Sequence, residues 1–246
     1  MTMKYSIQGF TLIELAMVLL ILGLLMSSFL APLAARVEQQ ERNNTQIQLD
    51  EIEEILYGHV LQNAYLPCPD CSDTTTGNCA TVNTNDPNDI SDGVEDILAN
   101  TCATEVGNLP WVTLGVKSTD EWNNIFTYRV DDTFADRNIA ATDGTGCAAS
   151  ATLNVSFSLC SDGEIIVLNS AGGTNLATNI PAIVVSHGKN FSLGAPTANE
   201  TENLNSDTTF VDTNFSNNAI TGFDDMVIWI SPHVLRTMSV KAGILP

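Results

Sequence analysis

The sequence predicts an α+β fold. A long N-terminal helix, membrane-spanning in its first half, leads into a head with an antiparallel β-sheet and long disulfide-bearing loops. Three observations predict it. The first quarter is apolar, then amphipathic at helical spacing. Short β-rich runs then follow one another without helical patterns between them, which favours an antiparallel sheet. Six cysteines all lie beyond the apolar segment.

The helix comes first. Residues 1–9 read MTMKYSIQG, short and polar with one cation, Lys4. From Leu15 through Ala35 no residue is charged, a run of 21, long enough to cross a bilayer as a helix. An ordinary secretory signal is cut after its apolar run, but no A-x-A-like site precedes the soluble region here. Glu14 is the departure from a simple signal anchor. A carboxylate in an apolar run costs about 2.5–3.5 kcal/mol on insertion scales, so by default it has a function. Pro32 bends the helix near the end of its apolar part. Beyond Arg36, residues 36–62 contain no proline and one glycine, Gly58. Leu49, Ile52, Leu56 and Val60 recur at spacings of three and four, with Asp50, Glu53 and Glu54 off that stripe. Pro67-Cys68-Pro69 must end the helix. From Phe10 to Gln62 such a helix measures roughly 80 Å. His59, beside the stripe, reads as a packed helix residue.

The head follows. Residues 67–108, rich in Asp, Asn, Thr and Cys, read as a long loop region. Strands are expected at 125–130, 152–159, 164–168, 182–186 and 226–230. Asp162-Gly163 separates two of them as a hairpin signal. Residues 197–220, rich in Asn, Thr and Ser, read as an exposed loop. Ser231 as a cap, Pro232 in the first turn and Gly243 as a stop predict a last helix over 232–242.

Nine Lys and Arg stand against 29 Asp and Glu, a net charge of −20. Such a chain repels phosphate backbones, so no nucleic-acid partner is expected. No G-x-S-x-G, Walker loop or G-x-G-x-x-G occurs. Ser186 and His187 are adjacent on a strand and face opposite sides, so a turn explains His187 better than catalysis does. No enzyme activity is expected.

The heptapeptide Gly9-Phe10-Thr11-Leu12-Ile13-Glu14-Leu15 resembles the prepilin peptidase recognition site of type IV pilins and pseudopilins. The resemblance covers about residues 4–35. It implies cleavage after Gly9, N-methylation of Phe10 and a role for Glu14 in fibre assembly. The domain plan it implies is a leader (1–9), a transmembrane and polymerisation helix (10–35), an amphipathic helix (36–66) and a globular head (67–246). The implied partners are the prepilin peptidase and methyltransferase, other pilin or pseudopilin subunits and an inner-membrane assembly platform. The implied location is a single pass in the inner membrane with a periplasmic head, or extracellular once assembled into a pilus. YLPCPD, LPWVTLGV, PAIVVSHGKN and FDDMVIWISPHVL, ending in KAGILP, resemble a subgroup of prepilin-like proteins.

In an exported head an even number of cysteines suggests disulfides. Six allow fifteen connectivities. The favoured set is Cys68–Cys102, Cys71–Cys79 and Cys147–Cys160. Cys68 and Cys71 form a C-x-x-C, whose rival reading is a membrane-anchored thiol oxidoreductase. A second rival is a minor pilin whose head is a binding or adhesion module. No cofactor is expected, with one exception. Residues 85–96 read NDPNDISDGVED, with carboxylates and Asn carbonyls around a glycine, as a hard cation such as calcium requires. The candidate ligands are Asp89, Asp92, Glu95 and Asp96. The EF-hand pattern fails at Ile90. Asp224-Asp225 is a second candidate.

Overall fold

The computed structural model describes residues 9, 11–82, 90–137, 155–191, 194, 196–216, 218 and 222–245; the side chains of 27–32 and 34 lie outside that set. The chain divides into two compact units, 1–43 and 44–246.

Helix α1 runs over Leu12–Asn63. It ends where Ala64 turns to a φ of 70° and donates its N–H to the Val60 carbonyl at 2.8 Å, a left-handed stop just before Pro67. Among the described residues no helix is long and apolar enough to cross a membrane, which departs from the span expected over 10–35. The described side chains of the apolar part run unbroken only from Leu12 to Met26.

In the second unit the expected stripe is the core of the head. Leu49, Ile52, Leu56 and Val60 are each at most 1% exposed and join one cluster with Tyr128, Val130, Val184 and Ile228. Those four partners belong to a four-stranded antiparallel sheet. Its strands are β3 (Val106–Asn108), β4 (Thr127–Val130), β7 (Ala182–Ser186) and β9 (Met226–Trp229), in the order β3-β4-β7-β9. β7 is buried along its whole length. Its Ala182 and Val184 join the cluster of α1, while Ile183 and Val185 join a second cluster with Ile165, Val167, Ile180 and Phe210. Alternate residues of a strand face opposite ways, so β7 is covered on both faces, which explains its unbroken apolar run AIVVS.

The second cluster belongs to a three-stranded sheet ordered β6-β5-β8, made of β5 (Ile165–Leu168), β6 (Asn175–Ile180) and β8 (Thr209–Val211). β5 pairs antiparallel with β6 and parallel with β8, so the head is not wholly antiparallel as expected. The strand expected at 152–159 is absent over its described part, 155–159. Serine side chains turn the backbone there. The Ser161 hydroxyl accepts the Ser158 N–H at 2.8 Å, and the Ser158 hydroxyl accepts the Cys160 N–H at 3.2 Å. Asp162-Gly163 is therefore not a hairpin turn. Gly163 packs against the β6 end, where a Cβ would come within 2.1 Å of the Ile180 carbonyl oxygen. The hairpin partner of β5 is β6, whose NLATNI sequence is mostly exposed and polar.

The loop expected at 197–220 also contains structure. Helix α5 (Ala198–Leu204) is opened by a capping box, with Thr197 as cap and Glu200 reaching back to the Thr197 N–H at 2.7 Å, and β8 follows. The 67–108 region holds α2 (Cys79–Val82), the short pair β1 (Ile97–Leu98) and β2 (Thr101–Cys102), and β3. Short helices α3 (Trp111–Leu114) and α4 (Asp132–Ala135) connect the strands. Helix α6 (Pro232–Lys241) starts at Ser231, whose hydroxyl accepts the Val234 N–H. The Ser231 N–H is in turn held by the Tyr57 hydroxyl of α1 at 2.9 Å.

Two disulfides with both cysteines among the described residues staple the head. Cys68 is bonded to Cys102 and Cys71 to Cys79. The two cysteines of the C-x-x-C are therefore in separate bonds, and both are buried. Cys160 is disulfide-bonded, and Cys147 lies outside the described residues.

Candidate functional site

The N-terminal segment is built on a helix start. Gly9 is exposed, with nothing within 4 Å of where a Cβ would sit, and Phe10 lies outside the described residues. Thr11 is the residue before the helix. Its hydroxyl accepts the Glu14 N–H at 3.3 Å, and its carbonyl accepts the N–H groups of Glu14 and Leu15 at 3.1 Å. Thr11-Leu12-Ile13-Glu14 thus has the T-x-x-E pattern of a capping box, a signal present in the sequence but not read there. Glu14 is the acid of the first turn, where the free N–H groups favour negative charge. From Leu12 to Met26 the large apolar side chains are exposed, so this helix presents an uncovered apolar surface.

The calcium candidates of the 85–96 segment have other occupations. Asp89 lies outside the described residues. An Asp92 oxygen accepts the Val94 N–H at 2.8 Å. One Glu95 oxygen accepts the Cys68 N–H at 3.1 Å and pairs with Arg137 at 2.6 Å. An Asp96 oxygen accepts the Cys71 N–H at 2.7 Å. These carboxylates order the disulfide-bearing loop by holding backbone donors.

The described carboxylates that converge are Glu200, Asp224 and Asp225, with one oxygen of each within 4.8 Å of the others. Glu200 is at the third position of α5, and Asp224-Asp225 lead into β9. Burial pushes Asp225 up to about 8 and Asp224 up to about 6. Burial acts on Glu200 in the same direction, but donors from Thr197, Asn190 and Asp224 hold it below the usual carboxylate range. Asp224 and Asp225 are legible as an adjacent pair in the sequence, whereas Glu200 is marked there only by the capping-box pattern Thr197-x-x-Glu200. His187 reads in the sequence as a turn residue. The structure buries His187 to 4% exposure, while the neighbouring Ser186 hydroxyl donates to Asp120 at 2.7 Å.

No curated protein and no solved structure matches the chain. Residues 5–30, about a tenth of the chain, match the family model for the prokaryotic N-terminal methylation motif. The chain therefore carries the N-terminal signal of type IV pilins and pseudopilins.

Proposed function

We propose that this protein is a structural subunit of a type IV pilus or of a secretion-type pseudopilus. A prepilin peptidase cuts it after Gly9 and methylates the new N-terminus at Phe10. Its apolar N-terminal segment, uncharged from Leu15 to Ala35, anchors it in the inner membrane with the head in the periplasm. An assembly platform then passes it into a fibre built with other pilin-type subunits. The methylation motif at residues 5–30 carries this reading. Two features support it. The apolar side chains from Leu12 to Met26 are uncovered in the single chain, as a polymerisation surface requires. The head is stapled by disulfides, which suits an oxidising compartment.

Glu14 is assigned to docking. After cleavage the amine of Phe10 is a cation and Glu14 an anion in a medium that penalises both. Pairing between neighbouring subunits neutralises them. Glu14→Ala, expressed as the only copy, should be cleaved and should keep its disulfides, yet be depleted from the sheared-fibre fraction relative to the membrane fraction. Glu14→Gln keeps the helix-start hydrogen-bonding capacity and removes the charge, and should fail in the same way. Equal incorporation of both variants and the parent would remove Glu14 from the docking step.

A further inference from the structure

We propose that His187, Glu200, Asp224 and Asp225 form a binding site for one divalent first-row transition ion, of the Mn2+ to Zn2+ class, inside the head. The three carboxylates converge within 4.8 Å. The observation that turns this cluster into a site is the imidazole beside it. His187 is 4% exposed, and its Nδ1 makes no hydrogen bond. That nitrogen lies 4.0 Å from Asp225 Oδ1, too far for a hydrogen bond. A buried ring nitrogen without a partner is a penalty that native structures rarely leave uncompensated. A metal bonded at about 2.0–2.2 Å to each atom would bridge a gap of this size at a wide ligand–metal–ligand angle.

The surroundings prepare the ligands. His187 Nε2 lies 2.8 Å from the Thr127 hydroxyl, which sets the ring orientation and leaves Nδ1 toward Asp225. Metal-bound histidines typically have their other nitrogen held in this way. A neutral imidazole offers the lone pair of its unpartnered Nδ1 as a ligand. The carboxylates are held too. Asn203 donates to Asp225 Oδ2 at 2.8 Å and Asn190 to Glu200 Oε1 at 2.8 Å, while the Asn190 N–H donates to Asp224 Oδ2 at 2.9 Å. Asp225 Oδ1 remains directed at His187. Gly188 makes the approach possible. Its φ is +63°, and a Cβ there would sit 2.7 Å from Asp224 Cγ. A cavity of about 150 Å³ lined by His187, Glu200 and Asp225 adjoins the cluster and leaves room for an ion and water.

The donor set decides the metal class. Calcium prefers six to eight oxygens, whereas an imidazole nitrogen with carboxylates suits the first-row ions. The test uses the full chain purified in detergent with a chelator, then dialysed against Mn2+, Zn2+ or Ca2+ singly. The expected result is one Mn2+ or Zn2+ per chain, bound at least tenfold more tightly than Ca2+. His187→Gln should lose at least tenfold in that affinity, and Glu200→Gln with Asp225→Asn should abolish it. Parent protein loaded with Mn2+ provides a readout independent of variant folding. Its pulsed EPR spectrum should carry nitrogen modulation from a directly bound imidazole. Absence of saturable binding, absence of nitrogen modulation, or Mn2+ and Zn2+ affinities unchanged in a folded His187→Gln variant would each overturn the proposal. None of these results bears on processing or fibre assembly.

Discussion

Removing Cys68–Cys102 and Cys71–Cys79 separately should weaken the head by different amounts, and the structure sets the order. Cys68–Cys102 closes a separation of 34 residues and Cys71–Cys79 one of 8. The loop-closure relation gives about 3.8 kcal/mol for the longer loop and about 2.5 kcal/mol for the shorter. The shorter bond is nested inside the longer loop and shortens its effective length, which lowers the first figure to about 3.5 kcal/mol. A gap of about 1 kcal/mol remains. Packing widens it, because Cys68 and Cys102 belong to the main core cluster whereas Cys71 and Cys79 sit in a small satellite with Ala103. The perturbations are the paired changes Cys68→Ala with Cys102→Ala, and Cys71→Ala with Cys79→Ala. The assay is urea unfolding of the full chain in detergent. Trp111, Trp122 and Trp229, which all lie in the second unit, report the transition. A larger loss for the Cys71/Cys79 pair, or no loss for either, would refute the reasoning.

Two further perturbations probe the core and the loop. Leu56→Ala deletes a fully buried side chain between α1 and the four-stranded sheet, and should cost about 2–5 kcal/mol in the same urea assay. Asp70 is fully buried, and burial pushes its carboxyl up to about 6. Its folded value lies above its unfolded one, so native protein binds more protons through that window, and stability falls as pH rises from about 4 through 6. Asp70→Asn keeps an acceptor for the Gly93 N–H, which the parent carboxylate takes at 3.0 Å. The variant should lose its share of this pH dependence in urea midpoints measured from pH 4 to 7, and an unchanged slope would contradict that reading.

Legibility in the sequence followed physical signals. The stripe Leu49, Ile52, Leu56 and Val60 was readable because one helix face is wholly buried and the adjacent acids are not. β4, β7 and β9 were readable because β-branched and aromatic residues fill a covered sheet. β6 was not, since an exposed edge strand such as NLATNI carries no apolar alternation. Residues 155–159 misled in the opposite way. Their composition suits a strand, but Ser158 and Ser161 satisfy the backbone locally. β8 escaped because TFV is three residues long and pairs in parallel with a distant strand. The methylation motif was legible because its residues are contiguous. The carboxylate cluster was only half legible, because Glu200 meets Asp224 and Asp225 across more than twenty residues of chain. No local pattern encodes such a meeting.

Mass spectrometry of the chain purified from bacterial envelopes reads the mature N-terminus. The account predicts a mature chain that begins at Phe10, carries one N-methyl group and lacks Lys4 with the rest of residues 1–9. Gly9→Leu should block that processing and leave the full-length, unmethylated chain in the membrane. A parent chain that retains Met1, or one cut beyond the apolar segment, would contradict the account.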